Sequence, residues 1–314
     1  MADLPIGSGA SSLGSSGANT LLRFLSDQVV QACRNWGGPT RYVTDVSGAV
    51  AQKGNVVGVY VTPNLASRTL VDGNAKVLDD DTGSTVNVTL NRLKYSAFSK
   101  TSVARALEGD FSTLARLQAS IYAVLNDIES DVMSVATSQF TTNAVVGTYN
   151  TAITEAVISN GVEAILDQRP PSGQPLVGLV RSGTTSWGAI AQLANFVQVQ
   201  VTGESKAPTV DEAYGQGRLW HNTRWYMTQA MPKTGNNTDN LIFHPQSIAL
   251  AMRIPGDSLS ANAPSIENVV DPASGIAFQI LMGWDNARMA DEITVRALYG
   301  YSVVKDAWGI TVRS

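Results

Sequence analysis

Between Asp110 and Thr137 the chain carries no proline and no glycine, and its apolar residues step by three and four. Phe111, Leu114, Leu117, Ile121, Val124, Leu125, Ile128, Val132 and Val135 fall on one narrow stripe, while Arg116, Gln118, Asn126, Asp127, Glu129 and Asp131 lie away from it. That spacing predicts an amphipathic helix, with Asp110 as its N-cap. At 1.5 Å per residue it runs to roughly 40 Å. A helix of this length lying across a sheet makes the backbone of an extended subunit.

Upstream the period changes from 3.6 to two. Val57, Val59 and Val61 alternate with Gly58, Tyr60 and Thr62, and Val86, Val88 and Leu90 alternate with Asn87, Thr89 and Asn91. Such alternation predicts strands. A polar tip from Asp72-Gly73-Asn74 to Gly83 separates them, so residues 46–99 read as one long, open β-hairpin. A hairpin of this kind has too little apolar face to be stable alone, and its edges invite pairing with other chains. That is a liability in a monomer and an advantage in an assembly.

Downstream, helices are expected over 151–168 and about 185–196, and strands over 175–180, 196–202 and 218–229. Loops rich in Gly, Asn and Ser are expected at 203–217, 231–240 and 255–275. Leu241-Ile242-Phe243-His244-Pro245 leads into a predicted short helix, Gln246 to Arg253. Closing strands are expected at Glu292–Tyr299, Tyr301–Val304 and Ile310–Val312. Helices and strands are not regularly interleaved, so the fold class is α+β rather than a doubly wound sheet or barrel.

The motifs of enzyme and metal sites are missing. Cys33 is the single cysteine, which excludes an internal disulfide and a cysteine-built cluster. His221 and His244 are too far apart for a zinc-binding HExxH helix, and beside Trp220 and Phe243 they read as packing positions. The Gly/Ser run Gly7–Gly17 lacks the Lys-Ser/Thr of a phosphate loop and reads as a flexible arm. Asp79-Asp80-Asp81 lacks the alternating ligands of a calcium loop and reads as a solvated turn. No catalytic, cofactor or metal site is expected, and no enzymatic activity. A short helix capped by Asn19 or Thr20 carries Leu21, Leu22, Leu25, Val29 and Cys33 at helical spacing. It is an amphipathic element on a tether, in need of something to dock on.

The N-terminus lacks the positive start and apolar run of a signal peptide, and no segment approaches the roughly 20 apolar residues that span a bilayer. The expectation is a cytosolic protein with no membrane partner. Lys+Arg is 22 against 26 Asp+Glu, a net charge of −4, which excludes a basic nucleic-acid reader. Charged residues make up 15%, against roughly 25% in an average soluble protein. A subunit that faces its neighbours over much of its surface would carry such a deficit.

The order of parts resembles the major capsid (coat) protein of tailed bacteriophages, the Hong Kong 97-type shell fold shared with encapsulin compartments. The resemblance spans nearly the whole chain. Locally it rests on Asn240–Ala251 as the strand-to-helix segment near the end of the axial domain and on Ala297–Val304 as the closing strand, where a glycine follows an aromatic. Gly217-Arg218-Leu219 through Met231-Pro232 adds the strand ending in an apolar-Pro step, with Arg224 departing from the usual glycine. The resemblance implies an N-terminal arm with a short helix (1–45), an extended hairpin loop (46–99), a spine helix with peripheral domain (100–145), an axial domain (146–264) and return strands to the peripheral domain (265–314).

It further implies self-assembly as hexamers and pentamers into an icosahedral shell around double-stranded DNA, held non-specifically because a wall of net charge −4 does not neutralise its cargo. Scaffolding and portal proteins are the implied partners, and the virion, with the host cytoplasm during assembly, the implied location. Arg68, Lys76, Arg92 and Lys94 would meet acids such as Glu129 or Asp131 on a neighbour's spine helix, at about 0–1 kcal/mol per exposed pair. Leu21, Leu22 and Leu25 would clamp another neighbour. Two rival readings are an encapsulin-like protein compartment and a secreted β-rich adhesin or binding module, the latter opposed by the missing signal peptide.

Overall fold

The computed structural model describes residues 42–49, 54–61, 69, 83–101, 103, 111–171, 173–193, 218–256, 265–271 and 275–314. In chain order the strands begin with β1 (Thr44–Asp45), β2 (Val56–Val61), β3 (Ser84–Thr89) and β4 (Arg92–Thr101). The predicted long helix follows as α1 (Phe111–Gln139), 29 residues. Then come β5 (Val146–Gly147), α2 (Glu155–Leu166), β6 (Leu176–Val180), α3 (Trp187–Gln192), β7 (Arg218–Trp220) and β8 (Thr223–Met227). The chain continues through β9 (Lys233–Thr234), β10 (Asn237–Phe243), β11 (Ile248–Arg253), β12 (Ser265–Asp271) and β13 (Ile276–Asp285). It closes with β14 (Ala290–Val303) and β15 (Gly309–Arg313). The expected arm helix, loop 203–217 and strand 196–202 lie outside the described residues.

One sheet is organised around β14. Leu298 pairs with Leu93 of β4 and with Arg253 of β11, so those two strands lie on opposite edges of β14. Along the edge it shares with β11, β14 also pairs with β13, through Ala290–Arg296, and β12 extends the sheet beyond β13. β1 runs parallel to β11. Alternate residues of these strands, among them Ile293, Val295, Ala297 and Tyr299, pack into one core with the α1 stripe: Leu117, Ile121, Val124, Leu125, Ile128 and Val132.

A second sheet has the order β5-β15-β10-β6-β8-β7, with β9 on β10. Its β6 is buried at every residue. Val177 and Leu179 join Leu241 and Phe243 in the spine-helix core, whereas Leu176 and Val180 join Ile242, Ile310 and Val312 in a separate core under α2. Period-two alternation thus sends one strand's side chains into two different cores. α2 starts where Thr154 accepts the Val157 N–H, as an N-cap should. His221 and Asn222, both at positive φ, make the two-residue turn between β7 and β8.

Four expectations are corrected. Gln246–Arg253 is no helix: Pro245–Ser247 form a short 3-10 turn, and Ile248–Arg253 is the strand β11, buried at five successive positions. A continuous apolar run carries no period, so burial between neighbouring strands decides it. The hairpin of β2 and β3 is present, but residues 92–101 leave it and join the large sheet beside β14. The loop expected at 255–275 contains the whole of β12, paired through its length with β13. Residues 231–240 form the small β9–β10 hairpin, in which Thr238 and Asn240 are buried.

Candidate assembly surface

The described part of the hairpin is anchored at its base. Among its described residues the buried ones are Val57, Val88 and Leu90, packed on Ala249 and Ala251 of β11. A 2.7 Å bond from the Leu90 N–H to the Asn55 carbonyl closes the base. The strand crosses β14 at Gly300, where an added Cβ would run into the Thr89 carbonyl. That gives the glycine of the closing strand a physical reason: only a residue without a side chain lets the hairpin pass so close. Val56 at the base and Tyr60 further out are exposed. The ribbon therefore draws little stability from its own chain.

The spine helix is bound to both sheets by acids on opposite faces, because two residues advance a helix by about 200°. Asp131 turns to the β4–β14 sheet. It accepts from the Tyr299 hydroxyl at 2.6 Å and from Arg92 at 3.4 Å, forms an ion pair with Lys94 at 3.5 Å, and Arg92 also lies over the Tyr301 ring. Lys94 reaches Asp127 as well, at 3.3 Å. Glu129 turns the other way, is buried, and accepts from the Thr228 hydroxyl at 2.9 Å, just beyond β8. Burial first, and then the hydrogen bond to the Asp131 carboxylate, push the Tyr299 phenol far above its ordinary value. The same burial raises Tyr301.

Arg92, Lys94 and Asp131 are thus brought together, but within one chain. The basic-to-acid pairing expected between subunits is present in cis. Glu129 stands apart from them and is committed to Thr228. Arg68, Lys76, Leu21, Leu22 and Leu25 lie outside the described residues. Tyr299 and Thr228 were not singled out from sequence. A tyrosine in register with Ile293, Val295 and Ala297 on a buried strand face was the available signal, since a buried hydroxyl needs a partner.

The remaining surface offers two further features. The β9–β10 tip, Lys233–Asn236, is exposed, while Asn240 below it accepts the Arg181 N–H and donates to the Val312 carbonyl and Ser314. On the face of the large sheet away from the spine, Leu93 and Tyr95 of β4 are exposed. Among the described residues, no group of three or more His, Cys, Asp or Glu side chains is placed to hold a metal, and no helix is long and apolar enough to cross a membrane.

No family model matches the chain, and no curated protein matches it. Solved structures do. A chain from Mycobacterium phage Che8 is similar over 88% of this chain and 90% of its own, at a TM-score of 0.56 and 16% identity. The capsid of cyanophage P-SCSP1u is similar over 86% of both chains, at 0.56 and 9% identity. The SrpI encapsulin complex of Synechococcus elongatus is similar over 87% of this chain and 86% of its own, at 0.50 and 11% identity. The α+β arrangement built here, a spine helix across two sheets with a hairpin anchored at its base, is the Hong Kong 97-type shell fold of phage capsids.

Proposed function

We propose that the chain is the major capsid protein of a bacteriophage, assembling as hexamers and pentamers into a closed icosahedral shell around double-stranded DNA. The observation that carries this reading is the hairpin. A ribbon held by three buried side chains at its base, on a fold shared along nearly the full length of phage capsid chains, needs a neighbouring copy to rest on. The role is structural rather than enzymatic. The ribbon lies over the adjacent subunit, and Arg68 and Lys76 supply the intersubunit charge, since Arg92 and Lys94 are engaged in cis. The N-terminal stripe Leu21, Leu22, Leu25 clamps a second neighbour. The exposed β9–β10 tip and residues 203–217 face the five- and sixfold axes.

Each contact is small, but a subunit with many neighbours repeats it, and a closed shell leaves no interface unpaired. Assembly takes place in the host cytoplasm with separate scaffolding and portal proteins, and the product is the virion. The test is expression of the full chain with its scaffolding protein, followed by negative-stain electron microscopy. Closed shells are expected. A monomer at high concentration with the hairpin intact overturns the reading. The likeness to an encapsulin supports a second reading, the same shell around a protein cargo. Nuclease-protected DNA in the purified particle favours the first, and a co-purified protein of fixed stoichiometry the second.

A further inference from the structure

Three segments cross between the two sheets, and they are tied to one another. The first is Phe140–Asn143 after the spine helix, the second His244–Ser247 between β10 and β11, and the third Val304–Trp308 between β14 and β15. His244 N–H donates to the Trp308 carbonyl at 2.8 Å, and Val304 N–H to the Ser247 carbonyl at 2.7 Å. The Asn143 amide donates to the carbonyls of Ala307 and Gly309. The Asp306 carboxylate accepts from Thr141 and Thr142. This knot is the joint between the sheets.

At its centre is His244, 1% exposed. Its Nδ1 accepts the Gln246 backbone N–H at 3.3 Å, which assigns the ring proton to Nε2. Among the described residues Nε2 has no hydrogen-bond partner, and neither has Nε1 of Trp308, whose ring packs edge-on at 5.6 Å. The Pro171 carbonyl works against the burial penalty without forming a hydrogen bond of normal geometry. The charged groups on the surrounding elements are Asp45 on β1, Glu163 and Asp167 at the end of α2, Arg169 after it, and Lys305 and Asp306 on the third crossing. Asp45 is taken up by Ser47 and Asp306 by the two threonines, and Lys305 lies over the Trp308 ring. Among the described residues no carboxylate is hydrogen-bonded to the imidazole.

We propose that His244 is a proton-operated latch on the joint between the two sheets. A proton taken from solvent lands on Nδ1, where it faces the Gln246 N–H. Two donors then confront each other inside a buried pocket, and the turn 244–247 can no longer stay closed on 304–308. Burial lowers the affinity of the ring for that proton, so the closed joint holds the neutral form. The sign follows. An opened His244 takes up a proton more readily than the closed one, so opening becomes easier as pH falls through the ordinary value of about 6.5. The opening constant of the joint is therefore larger at pH 5.5 than at pH 7.5, by at most about tenfold.

Hydrogen exchange of the full chain at pH 7.5 and 5.5, corrected for intrinsic rates, tests this. Peptides covering 244–248 and 304–309 are expected to lose protection, by up to about tenfold, with the α1 core unchanged, and His244→Gln to abolish the loss. Uniform loss of protection, no loss, or the same loss in His244→Gln overturns the proposal. Should that variant fail to fold, nitrogen-15 histidine NMR of the native chain decides, since His221 and His244 are the only two signals. A His244 ring that is neutral with its proton on Nε2 at pH 7.5, and whose protonation coincides with exchange at 244–248, supports the latch. A ring protonated on Nδ1 at pH 7.5, or one that titrates without opening the joint, refutes it.

Discussion

Replacing Gly300 by alanine puts the attachment of the hairpin to a direct test. The new Cβ would meet the Thr89 carbonyl and crowd the Leu90 nitrogen, backbone atoms that have no rotamer to change. Two responses are open. The hairpin can leave β11 and β14 altogether, exposing Val57, Val88 and Leu90 at about 1.5–3 kcal/mol each, roughly 5–9 kcal/mol for the base. Or the ribbon and β14 can shift apart while staying docked, at the ~1–3 kcal/mol typical of overpacking. The second route is cheaper and should win. The expected result is a loss of about 1–3 kcal/mol in urea unfolding at unchanged slope, together with faster proteolysis within 54–61 and 84–90. Gly173→Ala is the control, because nothing lies within 4 Å of its added Cβ. If Gly300→Ala matches that control in both stability and protease resistance, the account of the hairpin's anchorage is wrong.

Tyr299→Phe and Asp131→Ala remove the two halves of a 2.6 Å bond, and their double-mutant cycle should show a coupling of about 1–3 kcal/mol. The raised phenol also sets an alkaline limit. Unfolded Tyr299 ionises above about pH 10 and folded Tyr299 does not, so stability falls as pH rises past 10, and Tyr299→Phe reduces that slope in denaturant titrations. Asn240→Ala leaves the Arg181 N–H without its partner and should cost about 1–3 kcal/mol by calorimetry. Asn143→Asp sets a carboxylate against the carbonyls of Ala307 and Gly309, at a cost of ~3 kcal/mol near neutral pH. That variant should regain stability as pH falls towards about 4 and gain no more below it, because the folded site favours the protonated carboxyl, which can donate there.

The elements that carry a clean period were legible: the α1 stripe, the valines of β2 and β3, and the alternation of β14. Where period was absent or ambiguous, tertiary context decided. Ile248–Met252 is apolar at every position and could be read as helix or strand until its neighbours were known. β4 alternates as β2 and β3 do, and alternation shows that a segment is a strand without showing which strand it joins. The large sheet takes β4 because Phe98 packs against the spine core and Lys94 meets Asp127 and Asp131 there. The same limit applies to the charges. Opposite signs on β4 and α1 predicted a pairing, yet nothing in a sequence tells a contact within one chain from a contact between two. The role of Gly300 was visible only as a motif, and it became a mechanism once the Thr89 carbonyl was seen above it.

In the proposed shell one fold must sit in rings of five and of six, so some part of it has to give. The spine helix resists any change in the angle between the sheets, because turning one against the other breaks either the Tyr299–Asp131 bond or the Thr228–Glu129 bond. Each is a hydrogen bond to an acid at or beneath the surface, worth about 1.5–3 kcal/mol, and the crossing segments add their own. Among the described residues, bending the ribbon beyond Val57 and Val88 disturbs only the partly buried Val59 of that cluster. Differences between five- and sixfold environments therefore fall first on the ribbon, while the joint holds. A change of angle at the joint needs a trigger that acts on the joint itself. The one side chain there whose hydrogen-bonding sense reverses between pH 7 and 5 is His244, which is why a collective change in such a shell, if driven by acid, should start at residues 244–247 and not at the spine.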